Sequence, residues 1–290
     1  AMYAIGRGVP QDYKTAVKWS RLAAEQGFAH AQYNLGVMYR EGKGVPQNNK
    51  TAVKWYRLAA EQGYAPAQFK LGVMYSKGLG VTQNKKTAVK WFTLAAKQNY
   101  AGAQEQLGWL YNKGKGVLQN NETAVKWYTL AAKQGLALSQ YNLGVMFNEG
   151  EGVKKSSEAA MKWFTLAAKQ NYASAQNYLG WMYENGNGVT RDYEAAVKWY
   201  GLAAKQGDAE AQYFLGYMYA RGHGVTKDYV YAHMWWSIAE SSGDKRAKKV
   251  KDFAAKKMTS IQLEKAQRLT KEFLVDKSQR VASFSPSITP

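Results

Sequence analysis

The chain has 290 residues, 46 % hydrophobic and 21 % charged, a balance that can bury a core and excludes a disordered tail. No run approaches about 18 consecutive apolar residues, which excludes a membrane-spanning helix. The lack of cysteine excludes disulfide staples, thiolate catalysis and cysteine-held zinc or iron–sulfur, and leaves the redox compartment undecided. The formal charge of +19 raises the question of where the excess lysines sit.

The chain opens on Met2, Tyr3, Gly6 and Gly8, which stand one period before Met38, Tyr39, Gly42 and Gly44 and so read as the end of a helix. An array that begins upstream is therefore expected, and no secretory leader is read within the opening residues. Asp12 then caps a helix. Next come a helix over about Ala29–Glu41, termed helix A, and one over about Asn48–Gln62, termed helix B. From there the pattern recurs. Trp19, Trp55, Trp91, Trp127, Trp163, Trp199 and Trp235 are spaced by 36 residues, as are Gly36, Gly72, Gly108, Gly144, Gly180 and Gly216. A fixed period of this length means stacked supersecondary units and not two separate globular domains.

Asp12, Asn48, Asn84, Asn120, Ser156, Asp192 and Asp228 stand where each helix B needs a side-chain acceptor for its first free N–H groups. Glycine pairs such as Gly42/Gly44 end each helix A, as a left-handed turn requires. Glycine inside helix A costs about 1 kcal/mol against alanine, so its recurrence predicts a neighbour too close for a Cβ. Residues 1–243 thus form the repeat array, a partial first copy and six full ones. Residues 244–282 read as a helical cap. It has one helix after Asp244 carrying Ala247, Val250, Phe253 and Ala254, and another behind a Thr259/Gln262 capping box. Residues 283–290 read as a flexible tail.

The unit A-x-A-Q-x-x-L-G-x-M-Y-x-x-G-x-G-V followed by T-A-V-K-W-Y-x-L-A-A-x-Q-G resembles the Sel-one-like repeat family, a relative of the tetratricopeptide repeats. The resemblance implies an all-α fold, a right-handed α/α superhelical solenoid of 36-residue helix-turn-helix repeats, with helix A lining the concave side. It also implies a bacterial adaptor, often in the envelope or secreted. The subset of the family with a cysteine pair in each repeat is not matched.

Copies of the repeat can be compared with one another. In helix A the positions of Ala29, Leu35, Gly36 and Tyr39 hardly change, whereas those of His30, Asn34, Val37 and Glu41 do, stepping four, three and four along one free stripe. On or beside that stripe the N-terminal copies place Asn34, Lys70, Lys77, Gln106 and Lys113, then Trp109 and Asn142, and the C-terminal copies Tyr178, Trp181, Phe214 and Tyr217. Aromatic anchors with polar clamps suit a partner peptide or protein segment in a groove, and these eleven residues are the candidate site. Helix B shows a second stripe at Lys14, Lys18, Arg21 and Glu25, with Trp19, Leu22 and Ala23 expected to be buried on its flanks. Charges on the helix A positions cancel. The helix B stripe carries about ten excess positive charges, expected to be partly paired as in Glu122–Lys126, Glu158–Lys162 and Glu194–Lys198, and the cap region carries most of the rest. A nucleic-acid groove needs its positive charge inside the hollow, so the balance argues against nucleic acid.

Signals for chemistry are weak. His30, His223 and His233 fall in different copies without a second ligand at metal spacing, so no metal is assigned. The Gly-Lys-Gly-Val segments end helices and lack the G-x-x-x-x-G-K-[ST] pattern. One S-x-x-K, Ser242 to Lys245, lacks its companion motifs. The expectation is a non-catalytic protein-interaction scaffold without a cofactor. The alternative is an RNA- or anionic-surface-binding module that uses the convex lysines and the cap.

Overall fold

The structure, a computed structural model, describes Tyr3, Gly6, Gly8 and residues 10–284, with side chains described as far as Asp276. Among the described residues there are α-helices and no strands. The helix A elements are α2 (Ala29–Glu41), α4 (Ala65–Lys77), α6 (Ala101–Lys113), α8 (Ala137–Glu149), α10 (Ala173–Asn185) and α12 (Ala209–Arg221). The helix B elements are α1 (Tyr13–Glu25), α3 (Asn49–Glu61), α5 (Lys85–Lys97), α7 (Asn121–Lys133), α9 (Ser157–Lys169), α11 (Tyr193–Gln206) and α13 (Tyr229–Ser241). Two helices follow, α14 (Lys245–Ala255) and α15 (Ser260–Phe284). The residues fall into two compact units. The first runs to Ser139 and takes in Gly150–Lys154; the second comprises Gln140–Glu149 and the chain from Lys155 onward.

Local chemistry sets the helix ends as expected. Asn48 Oδ1 accepts from the Thr51 N–H at 2.9 Å, and the six other cap residues act likewise. Each cap residue also donates its own N–H to the carbonyl of the recurring tyrosine or phenylalanine nine residues earlier. Asn48 to Tyr39, at 2.8 Å, is one case, and Asp12 to Tyr3, at 3.0 Å, shows that the opening residues keep the register. Gly42 ends α2 at φ 70°, and Gly44 follows at φ 72° with its Cα against the Tyr13 carbonyl, where a side chain would collide with backbone. Helix B ends in left-handed glycine at five places, and Asn99 and Asn171 take that conformation in two further copies, at φ 62° and 61°.

Within each unit, helix A glycines receive rings from the following helix B. A Cβ on Gly36, Gly72 or Gly108 would lie 2.6–2.7 Å from Tyr56, Phe92 or Tyr128; in the second unit Gly144, Gly180 and Gly216 stand in the same way to Phe164, Tyr200 and Trp236, at 2.5–2.7 Å. These close approaches exclude any larger residue and account for the glycine series. The tryptophan series closes the next interface: Trp91 packs on the cluster built from Ala52, Tyr56, Leu71 and Met74, and Trp127 on the one built from Phe92, Leu107 and Leu110.

A glutamine ladder runs through the same layers. Gln68 Nε2 donates to the Ala60 carbonyl at 3.1 Å and Gln68 Oε1 accepts from Gln98 Nε2 at 2.8 Å, so one buried amide ties the end of one helix B to the end of the next. Gln32, Gln104 and Gln176 repeat both bonds. At the last rung Ser242 stands where the donor glutamine would be, and Gln212 Oε1 is buried without a partner.

Several expectations need correction. The helix B leucines are not buried: Leu22, Leu58, Leu94, Leu130, Leu166 and Leu202 are 37–46 % exposed, because they sit four residues beyond the exposed lysines on the same side. Trp19 is 58 % exposed, since no helix B precedes α1 among the described residues. The three Glu–Lys pairs on helix B also do not form. Glu158 instead accepts from the Ser156 hydroxyl at 3.0 Å, its carboxylate drawn to the helix N-terminus, and its pKa is lowered by a backbone hydrogen bond first and by Ser156 second.

In the second unit α13 is covered on two sides. Ala247 and Ala254 of α14 are buried against Trp236, and Leu269, Phe273 and Leu274 of α15 pack on a cluster that includes Trp235 and Ile238. Thr259 and Gln262 exchange the two capping-box bonds at 2.9 and 3.3 Å. Phe253, expected on the buried face of α14, is 55 % exposed. Of the tail, residues 283 and 284 complete α15; residues 285–290, like Met2, lie outside the described residues.

Candidate functional site

The free stripe of helix A bears an aromatic wall that is continuous in some copies and broken in others. In the first unit Tyr33 meets Tyr56 and Tyr64 at 5.8 and 5.4 Å, and Phe69 meets Phe92 and Tyr100 at 5.7 and 5.0 Å. The next copy has Glu105 at this place. It is half-buried, accepts from the Ser139 hydroxyl at 3.0 Å, and burial pushes its carboxyl upward. Around this wall Asn34, Lys77 and Lys113 are exposed, Lys70 and Gln106 are half-buried, and the Lys70 ammonium rides 6.0 Å above the Phe69 ring. Trp109 is 37 % exposed, and the Lys115 ammonium lies 4.8 Å from the centre of its ring. The first unit thus presents a mainly basic and polar face with one open indole.

The second unit is different in chemistry. Tyr141 completes a ring triad with Phe164 and Tyr172, and burial pushes its phenol up to about 12. One copy later the ring is missing, because Asn177 occupies that position. The gap is an open cleft of about 240 Å3. Its floor and one wall are Tyr178, stacked on Phe164 at 4.7 Å, and Trp181, edge-on to Tyr178 at 6.3 Å. Phe214, stacked on Tyr200 at 5.4 Å, forms the far wall. Two carboxylates border it. Glu149 accepts from Asn148 Nδ2 at 2.8 Å, and Glu210 accepts from Asn177 Nδ2 at 2.9 Å. Burial first, then the negative charges of these two glutamates, push the Tyr178 phenol upward. No lysine, arginine or histidine lines the cleft.

Three of the sequence-derived candidates, Tyr178, Trp181 and Phe214, therefore meet in one place. Asn142 is half-buried on α8 and does not line that cleft. Tyr217 turns toward α14: it packs on the Trp236 cluster under the Arg221 guanidinium, 4.4 Å from its ring, and lines a separate hollow with Lys249 and Phe253. Asn148 and Asn177 are not among the sequence-derived candidates; for Asn177 the sequence does carry a signal, since it and Glu105 interrupt the register of Tyr33, Phe69, Tyr141 and Tyr213.

Elsewhere the helix B lysines, Lys18 to Lys198, stand exposed along one edge of each unit. His233 is buried near Ser237, and burial followed by the Lys251 charge lowers its pKa. Ser242 ends α13 and Lys245 begins α14. Among the described residues no cluster of His, Asp and Glu could hold a metal ion, and no helix is long and apolar enough to cross a membrane.

Seven successive segments, residues 1–28, 29–64, 65–100, 101–136, 137–172, 173–208 and 209–244, match the Sel1 repeat. The chain is similar to a Sel1 repeat protein of Oxalobacter formigenes, at 34 % identity over 78 % of this chain and 91 % of that one, with a TM-score of 0.69. It is also similar to a protective antigen present in uropathogenic Escherichia coli strains, at 27 % identity over 100 % of this chain and 86 % of that one, with a TM-score of 0.55. No curated protein matches the sequence. Sel1 repeat proteins are generally protein-interaction scaffolds and typically non-catalytic. With the motif in all seven copies and a solved relative of this identity, the chain belongs to the Sel1 repeat family.

Proposed function

We propose that this chain is a non-catalytic scaffold that binds a segment of another protein on the helix A faces of its two units. In the first unit Trp109 is the anchor, with Asn34, Lys70, Lys77, Gln106 and Lys113 as polar contacts for backbone or acidic groups. In the second unit Tyr178, Trp181 and Phe214 are the anchors. Asn142 and Tyr217 are secondary contacts outside the cleft.

The observation that supports this reading is the contrast between two sets of rings. Those that hold the array together, Tyr56, Phe92, Phe164 and Tyr200, are fully buried, whereas Trp109 and Trp181 keep solvent-accessible surface, Trp181 while also packing on the cluster around Tyr200. A large aromatic in a partly open pocket is the usual anchor of a binding surface.

The reading is tested by selecting random displayed peptides on the whole chain and measuring each against Trp109→Ala and Trp181→Ala. Selected peptides are expected to lose about 2 kcal/mol of binding with one variant or the other. Circular dichroism of both variants controls for folding. Peptides that bind the wild type and both variants equally would contradict the assignment.

A further inference from the structure

We infer that the cleft of the second unit takes a basic side chain, arginine foremost, from the partner segment; this rests on the reading just given and names the chemistry of one anchor. Three observations on different atoms point the same way.

The first is charge. The protein carries a net charge of +19, yet this cleft has two carboxylates, Glu149 and Glu210, and no lining cation. Glu149 makes no ion pair among the described residues, and its one hydrogen bond is to the neutral Asn148 amide. A carboxylate pair over aromatic rings attracts a cation twice, through the charges and through the ring faces.

The second is an unpaired acceptor. Asn177 lines the cleft and is 7 % exposed; its Nδ2 is used on Glu210, and its buried Oδ1 has no partner. A buried acceptor left unmade costs on the order of 1–3 kcal/mol, so an incoming N–H donor recovers that energy. A guanidinium has five donors in one plane and can meet Oδ1 and a carboxylate together while lying flat on a ring.

The third is a guanidinium already held at the border of the same site. Arg246 of α14 places its Cζ 4.4 Å from the Tyr213 ring and 5.7 Å from the Phe214 ring, and its Nη2 lies 3.7 Å from Glu210 Oε1. Asp244 holds it there at 2.6 Å. Phe214 and Glu210 thus already meet an arginine and also line the cleft, which adds Glu149, Trp181, Tyr178 and the unpaired Asn177 oxygen.

The test uses the whole chain and a random displayed peptide library, followed by titration of the selected peptides as synthetic chains. Selected peptides whose binding needs Trp181 are expected to share one arginine or lysine, and changing it to norleucine should weaken binding about tenfold, the scale of a cation against rings and carboxylate. Glu149→Gln with Glu210→Gln should cause a loss of the same order, and in that variant the norleucine change should cost less than it does in the wild type, since only the ring faces and the Asn177 oxygen still favour the cation. Glutamine keeps an acceptor for both asparagine amides, so an unchanged melting curve separates lost binding from lost fold. Trp181-dependent peptides with no basic residue, or with affinity unchanged by the two glutamines, overturn the inference and leave the broader reading standing. Failure to obtain any peptide that depends on Trp109 or Trp181 overturns both.

Discussion

Glycine inside helix A allows a test in which two opposing effects can be separated. Replacing Gly108 by alanine should gain about 1 kcal/mol of helix propensity. The new Cβ would stand 2.6 Å from Tyr128 Cδ1 and 2.8 Å from two further ring atoms, in a place where Tyr128 is only 2 % exposed and cannot swing away. Overpacking of this kind costs about 1–3 kcal/mol. Gly201, in the interior of α11, supplies the matching control, for its Cβ would meet nothing within 4 Å. Because the propensity term is common to both, the difference between Gly108→Ala and Gly201→Ala isolates the collision. Gly201→Ala should therefore stabilise by somewhat under 1 kcal/mol, and Gly108→Ala should fall about 1–3 kcal/mol below it. Urea unfolding followed by far-ultraviolet dichroism reads this as opposite shifts of the midpoint. Midpoints are the quantity to compare, since arrays of repeats need not unfold in two states. Equal stabilisation by both alanines would refute the argument that ring insertion, and not loop chemistry or chance, keeps glycine at this position.

The remaining predictions concern the glutamine ladder and pH. Gln104→Leu removes the donor to the Ala96 carbonyl and the acceptor for Gln134, and should lower stability by about 2 kcal/mol, measured by the same urea midpoint; a neutral result would mean water replaces both bonds. His233 is buried, with Lys251 and Asp252 as the charged groups that act on it, and its folded pKa lies below the ordinary 6.5. The unfolded chain therefore takes up the proton first, and stability should fall as pH drops through 6.5 toward the folded value. In His233→Phe that part of the pH dependence should vanish; an unchanged slope between about pH 7.5 and about pH 5 would remove His233 from the account.

Much of the architecture could be read in advance because the repeat compares the chain with itself. The caps from Asp12 to Asp228 and the glycine pairs follow from backbone requirements that few residue types satisfy, and the spacing of Trp19 to Trp235 marks the period itself. What could not be read depends on which side of a helix its neighbours leave open. Leu22 and its equivalents look like core by type, yet they lie beside the lysine edge and stay exposed. Tyr217 shares a register with Trp109 and Trp181, but α14 lies beside it and draws it into other contacts. The glutamines of the ladder were visible as a recurring letter; the bond between residues 30 positions apart is a fact of stacking. At the candidate site the large rings drew notice by size. The cleft itself exists because one ring is absent at Asn177, and a missing side chain is easily passed over when only the large ones are sought.

The central claim is that the partner lies against helix A and not against the helix B edge. A photoreactive phenylalanine placed at Asn34 or Asn142, on the helix A stripe, and in separate variants at Lys54 or Lys162, on the helix B edge, tests it in lysate of the native source. The account predicts a discrete protein adduct from Asn34 or Asn142 that weakens when Trp109→Ala or Trp181→Ala is added, and none from the lysine positions. Adducts formed only from Lys54 or Lys162, unaffected by either tryptophan change, would contradict it.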